Sequence, residues 1–502
     1  MAVRIRSWDL PLLAIAVTIL PISTFLLVVN YLYICLFPRH SIRRRLRTTR
    51  GFGPRTVLLT GVNTPQGLRL AGAFHDTGHN VIGLDYESGL PTPARFSRAV
   101  HRFYPLRVPS VEGRRSEYVN HVTEIVEKER VDLWLNCITN ADPDLESQVR
   151  TRIERITTCR CFALSLDDAP CFARKDKLLS YMQSLGLPVP EVHQVRSRDE
   201  LHKVLNRSHG QRKYLLHATT KQEANNSRIR ARLPRRTLSQ TYNLVSRINI
   251  TQSSPWVLEQ DTDEMEKYST FAITVRGEIK AFVASYSTDN SSFQLLDPDS
   301  ALSQSMLRFV SSLVKSQGCN LTIHLNMDFR VEEWVTATGV VKTILPVDVS
   351  TQADVNTLLF RGIAGSAQLT RAYLACLQSA DPKENPTTDV ASSYPYYVSD
   401  DGVSFPVFET FGVYNFGQMV HTLAVTPLRH LLTFKVGPRS FLKSLASLVD
   451  RLLHWTNDSY SIDDPLPFWW YHQVCVPLEI LIRVITGPST FDRPDIKPLE
   501  AA

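Results

Sequence analysis

Several signatures that would assign a 502-residue chain at once are missing here. The eight cysteines are scattered, with no CxxC pair and only Cys159 and Cys161 close together. That excludes a zinc finger or ribbon and reads as buried, reduced thiols. There is no G-x-G-x-x-G. The glycines after the first apolar strand, Gly61 and Gly67, are separated by five residues. A dinucleotide-binding turn needs closer spacing so that backbone can approach a pyrophosphate. The reductase pattern Tyr-x-x-x-Lys is not evident either, so a nicotinamide enzyme is disfavoured, and Gly61 and Gly67 read as shaping the first turn of an α/β lobe. No basic face interleaves with aromatics, which argues against nucleic acid as a partner. Internal repeats are absent. With 43% hydrophobic and 21% charged residues, disorder over most of the length is excluded, and the length calls for two to three domains.

Charge is also missing from residues 10–37, "LPLLAIAVTILPISTFLLVVNYLYICLF". This run exceeds the roughly 20 residues that cross a bilayer and the 7–15 of a cleaved signal core. Pro11 and Pro21 are tolerable in a membrane helix. Tyr31 and Tyr33 sit where interfacial aromatics do, and Arg39, Arg43, Arg44, Arg45, Arg47 and Arg50 follow, against Arg4 and Arg6 before. The charge bias predicts a single-pass protein with its bulk in the cytosol, an intracellular membrane such as the endoplasmic reticulum being one site. The Asn-x-Ser/Thr triplets at Asn206, Asn225, Asn249, Asn290, Asn320 and Asn457 would matter only for a lumenal chain.

Beyond the arginines, strands alternate with amphipathic helices to about residue 165, which predicts a parallel sheet in a Rossmann-like lobe. The second half reads as antiparallel α+β, with a hairpin at "VRGEIKA". The fold class is therefore α/β and α+β. The expected organisation is a transmembrane helix over 10–37, a basic juxtamembrane linker over 38–54 and a Rossmann-like domain over 55–165. A second domain over 166–380, a loop over 381–410 and a helical C-terminal extension over 411–502 complete it.

Two apolar runs end in acids, "LNMDF" at Asp328 and "ILPVD" at Asp348. Alternation puts His324, Asn326, Asp328 and Arg330 on one strand face, and Ile344, Pro346, Asp348 and Ser350 on one face of the next. A hairpin folded near Thr338 pairs Asp328 with Asp348 and Asn326 with Ser350. Facing residues have Cβ atoms about 4.5–5.5 Å apart, where two carboxylates repel unless a cation such as Mg²⁺ lies between them. The same residues also read as a polar hairpin face without metal.

The segment "ARKDKLLSYMQSLGLPVPE" resembles the start of an ATP-grasp domain, and the lobe before it looks like the pre-ATP-grasp domain of that superfamily. The likeness continues through "SSPWVLEQDTDEMEKYSTFAITVRGEIKAF" to about residue 374. It implies that Lys177 meets nucleotide phosphates, that Glu259 or Gln260 lies at the adenine edge, and that Glu266 lies near the ribose. It puts His217 where the family has a second phosphate-binding lysine, with no glycine in the loop that follows; Lys213, Lys221, Arg228 and Arg230 are further cations. It places metal on Asp328 and Asp348. Asn326 is positioned to replace the amide that Ser350 lacks, and Arg330 to replace the arginine that steadies the transferred phosphoryl group and that Gln352 does not supply. The expected cofactors are ATP and Mg²⁺. The expected activity is joining a carboxylate to an amine through an acyl phosphate, in the biosynthesis of a secondary metabolite, with small-molecule acid and amine as partners, the membrane as anchor and pathway enzymes as further partners. The alternative is a catalytically silent ATP-grasp fold serving as a binding or scaffold subunit at a membrane. The C-terminal "DPLPFWWYHQVCVPLEILIRVITG" carries Glu479 and Arg483, which fits a buried or interfacial helix better than a second span.

Overall fold

The computed structural model describes residues 9–486 except 37–40, 49–51, 88–89, 107–113, 140, 173–174, 208–211, 219–230, 249, 253–255, 290–291, 317–320, 337–338, 378–402 and 407–411. The expected glycine-free loop with Lys221, Arg228 and Arg230, and most of the expected 381–410 linker, lie outside the described residues. The chain divides into two compact units, one of Met1–Ala173, Phe271–Asn326 and Ser350–Ala502, the other of Arg174–Thr270 and Met327–Val349. The stretch 166–380, expected as one domain, is thus shared between them, because three long strands each carry residues of both.

In the first unit, α1 (Asp9–Leu36) and α2 (Ser41–Thr48) precede a five-stranded sheet of β1 (Thr56–Thr60), β2 (Asn80–Tyr86), β3 (Arg102–Leu106), β4 (Leu133–Asn136) and β5 (Arg160–Phe162). Its order is β3-β2-β1-β4-β5 and every pairing is parallel, as the alternation of strands and helices predicts. The helices α3 (Pro65–Asp76), α4 (Arg114–Glu129) and α5 (Pro143–Ile156) are the crossovers. Thr64 caps α3, its Oγ1 accepting from Gly67 N at 3.1 Å, and Pro65 supplies the preset first turn. Gly61 has φ +74°, and a Cβ there would stand 2.5 Å from Ile138 N; one on Gly67 would stand 2.6 Å from Gly61 O. Both glycines are needed to close the turn, in keeping with their structural reading. Val57, Leu59, Leu70, Phe74, Leu135 and Phe162 are fully buried in one core and Leu58, Trp134, Val149 and Ile153 in another.

After α6 (Ala169–Phe172), the second unit holds α7 (Lys175–Ser184), β6 (Val192–Val195), α8 (Arg198–Arg207), β7 (Tyr214–Ala218), β8 (Ala231–Leu233), α9 (Leu238–Ser246) and β9 (Trp256–Gln260). Its four strands form a sheet in the order β6-β9-β7-β8, antiparallel throughout. Leu201, Leu216, Leu233 and Leu258 fill its core.

A seven-stranded sheet follows, ordered β14-β13-β10-β11-β12-β15-β16. Its members are β10 (Glu266–Val275), β11 (Glu278–Asp289), β12 (Ser292–Leu295), β13 (Ile323–Thr336), β14 (Gly339–Ser350), β15 (Gly412–Tyr414) and β16 (Thr456–Asn457). Arg276 and Gly277 alone join β10 to β11, with φ +52° and +77°. Positive φ at both central residues is the twist-matched hairpin turn, as expected at "VRGEIKA". The helices α10 (Ala301–Ser316) and α11 (Gly362–Leu374) belong to the first unit. Its C-terminal part carries α12 (Phe416–Val420), α13 (Thr426–Leu432), α14 (Pro438–His454), α15 (Leu466–Trp470) and α16 (Val476–Thr486). The extension over 411–502 is therefore not purely helical. The short strands β15 and β16 add to the sheet edge, too brief to announce themselves by alternation.

Candidate functional site

The strands β13 and β14 are neighbours, and only residues 337–338 separate them, so they run antiparallel. Alternation along β13 is as expected. Ile323, Leu325, Met327, Phe329 and Val331 are all buried. On the other face burial falls along the strand, from His324 at 0% exposed and Asn326 at 7% to a half-buried Arg330 and an exposed Asp328.

In the first unit, Asn326 Nδ2 donates to Ser350 Oγ at 3.0 Å and also to the Gln352 carbonyl. That is the facing pair expected from the register. Asn326 Oδ1 is buried and accepts no hydrogen bond, an unmatched acceptor in an otherwise satisfied side chain. Gln352, in the place where an arginine was expected, spends its amide on the Ala141 carbonyl at 3.0 Å. Next to it Ala353 N donates to Asn136 O at 3.3 Å. The chain after β14 is thereby tied to the carboxyl end of β4. There, Thr60 Oγ1 donates to Asn136 Oδ1 at 2.9 Å, and Asn136 Nδ2 donates to Glu146. Glu146 is 3% exposed, and burial, with Asp142 adding, pushes its carboxyl up to about 8.

In the second unit, Asp328, two residues further along β13, and Asp348, two residues back along β14, are both exposed. Asp348 Oδ1 accepts from Val349 N at 3.0 Å. The Arg330 guanidinium stands in the field of Asp328 and Asp263. Burial nevertheless lowers its pKa, and its Nη1 is buried without a hydrogen-bond partner. A cation whose nitrogen has left water unpaired costs free energy that an anionic ligand would recover.

Lys177 is exposed in the first turn of α7, as the segment predicts. His217 lies on β7 opposite Val257, and of its side chain nothing is described. Glu259 is half-buried on β9, paired in register with Val192 and Leu215. Gln260 is 4% exposed, and its side chain is used up: Oε1 accepts from Glu191 N at 3.1 Å and Nε2 donates to Glu332 Oε1 at 2.9 Å. Glu266 is exposed and accepts from Tyr268 Oη at 2.7 Å. Lys213, a candidate phosphate cation, is bonded to Glu264 at 2.5 Å. The acidic turn is held by Arg232, at 3.0 Å from Asp261 and 2.9 Å from Asp263.

Sequence reasoning missed the centre of this unit. Arg212 forks onto Glu332 at 3.2 and 3.1 Å and also bonds Glu191, which accepts from Tyr214 Oη at 2.8 Å. Glu332 is 8% exposed. Alternation puts Glu332 on the same face of β13 as Asp328 and Arg330, so the sequence pattern gives no sign that it is buried.

Among the described residues no group of three or more His, Cys, Asp or Glu could hold a metal by itself. Mg²⁺ does not require one, since it is bound through one or two carboxylates together with substrate phosphates. The oxygen-only pair Asp328 and Asp348 fits that need.

No family model matches the chain, and no curated protein does. Solved structures similar to it include an L-amino acid ligase from Bacillus licheniformis, at 14% identity and TM-score 0.39 over 59% of this chain and 67% of that one. Another is the biotin carboxylase subunit of pyruvate carboxylase, at 14% identity and TM-score 0.46 over 67% and 72%. A third is N5-carboxyaminoimidazole ribonucleotide synthetase from Thermus thermophilus, at 15% identity and TM-score 0.40 over 64% and 78%. Function has to be argued from the site itself.

Proposed function

We propose that the chain is an ATP-dependent ligase of the ATP-grasp type that joins a carboxylate to an amine through an acyl phosphate, held at a membrane by α1. The observation that carries this reading is the pairing of two exposed aspartates with one under-satisfied arginine on β13 and β14. Asp328 and Asp348 would hold Mg²⁺, which when bound supplies charge neutralisation for phosphate oxygens. Arg330 has an unpaired Nη1 and a guanidinium that burial leaves short of partners. It is suited to a phosphoryl group whose charge spreads in the transition state, a mostly electrostatic task. Lys177, exposed near the start of α7, can reach phosphate as a point charge. A biosynthetic, secondary-metabolite setting remains part of this proposal through the sequence resemblance.

A second reading, a silent scaffold of the same fold, draws on two observations: Lys213 is engaged by Glu264, and Gln352 by Ala141. Thermal unfolding of the full chain with and without Mg-ATP separates the two. A ligand that binds only the folded state at 100 times its Kd adds about 2.7 kcal/mol. The ligase reading expects a Mg²⁺-dependent rise in Tm that Asp328→Asn and Asp348→Asn abolish. No rise at saturating Mg-ATP refutes it.

A further inference from the structure

The helix α14 has the pattern of a core helix and the exposure of a surface one. Phe441, Leu442, Leu445, Leu448, Val449, Leu452 and Leu453 fall at i, i+1, i+4, i+7, i+8, i+11 and i+12. At 100° per residue they span an arc of about 140°. A stripe of that width belongs against a core. Yet no residue of α14 is buried. Leu442 is 61% exposed, Val449 49% and Leu453 74%. The half-buried line is Phe441, Ser444, Leu448 and Arg451, to one side of the stripe. Arg451 sits 5.0 Å over the Trp455 ring and donates to Ser292 Oγ at 3.3 Å. The helix thus rests on its own unit by one flank and turns its apolar arc outward. Just before it, Leu432 and Phe434 are 72% and 96% exposed.

Three features of the same unit say what covers this face. First, α1 has a window of 21 residues, Ala16–Leu36, long and apolar enough to cross a membrane and only 6% buried. Second, α1 packs against α15 and α16, and Asn30 Nδ2 donates to Tyr460 Oη at 2.6 Å, so the two helices that follow α14 stand beside that apolar rod. Third, residues 426–454 carry five Lys and Arg against the single acid Asp450. Apolar residues bounded by cations suit an anionic lipid surface, where each Lys or Arg contributes about 1 kcal/mol.

We propose that α14, with the turn holding Leu432 and Phe434, lies in the plane of an anionic bilayer interface, as a second membrane contact beside α1. This rests on the reading of α1 as a span, and the test separates the two. The full chain, with Cys35, Cys171 and Cys319 replaced by serine, is reconstituted in nanodiscs containing one-third phosphatidylserine. Nitroxides are placed singly by Leu445→Cys, Val449→Cys, Leu453→Cys, Lys443→Cys and Ser447→Cys, and by Val28→Cys in α1. Collision with oxygen, which concentrates in lipid, is compared with collision with a water-soluble nickel chelate. The expected result is a several-fold higher oxygen-to-nickel ratio at 445, 449 and 453 than at 443 and 447, with the highest ratio at 28. Nickel access at 445, 449 and 453 equal to that at 443 overturns the proposal while a high ratio at 28 leaves α1 standing. Shielding of 445, 449 and 453 from both reagents also overturns it, since a protein partner would then cover the face. A low ratio at 28 removes the span and the proposal with it.

Discussion

His324 makes a pH dependence that can be worked through. Its ring is 0% exposed and lies 5.4 Å from the Phe162 ring, 6.1 Å from Phe271 and 5.4 Å from Tyr373. Burial pushes its pKa down to about 3, against a backbone hydrogen bond with Thr351 that acts to raise it. The unfolded chain takes up the proton near 6.5, so between pH 6.5 and about 3 the unfolded state binds more protons and stability is lost as pH falls. The loss is about 1.4 kcal/mol per pH unit in that window, hence about 2 kcal/mol between pH 7 and pH 5. His324→Phe removes this titration and the desolvated ring nitrogens, whose burial costs roughly 1–3 kcal/mol. Other groups titrate in the same range, so the difference between variant and parent is the quantity to read. Urea unfolding of both full chains in detergent, followed by tryptophan emission, should show the variant's advantage growing by about 2 kcal/mol from pH 7 to pH 5. An advantage that stays constant across that range would refute the reasoning, whatever its size at pH 7.

Glu146 should act with the opposite sign. Its folded pKa of about 8 lies above the ordinary 4.5, so stability is lost as pH rises from 4.5 to 8, and Glu146→Gln should flatten that part of the profile. Removing the cation with Arg212→Met leaves Glu332 buried without its counter-charge and should cost about 3 kcal/mol in urea unfolding. Adding Glu332→Gln should restore most of it. In a turnover assay once substrates are found, Arg330→Met should lower kcat at least about 100-fold while Mg-ATP affinity changes by less than about tenfold, because its charge is called on as the phosphoryl group moves. Equal losses in affinity and kcat would make Arg330 a ground-state ligand instead.

The parallel lobe was legible because each of its signals is local. An apolar run, Thr64 and Pro65 at a helix start and the paired glycines of its turn can be read within about ten residues. The β10–β11 hairpin was legible for the same reason, through Gly277. The units were not legible. Whether Phe271 groups with the segment before it or with strands far along the chain depends on contacts that no periodicity records. Strands as short as β15 and β16 give too few residues for alternation to register. The cluster of Arg212, Glu191, Gln260 and Glu332 draws on four separate segments. Nothing in the local pattern betrays it, since Glu332 falls in line with Asp328 and Arg330 on the polar face of β13.

Alternation predicted the face of β13 that carries Asn326, Asp328 and Arg330, but not how deep each would lie. Asn326, at 7% exposed, must satisfy its amide from protein, and it does so through Ser350 and Gln352. Two residues on, Asp328 is exposed. Arg330 lies between these limits, too buried to be fully hydrated and too exposed to need a permanent ion pair. Gln352 is 7% exposed with its amide on Ala141. A guanidinium there would lie buried and could not be satisfied by that one carbonyl.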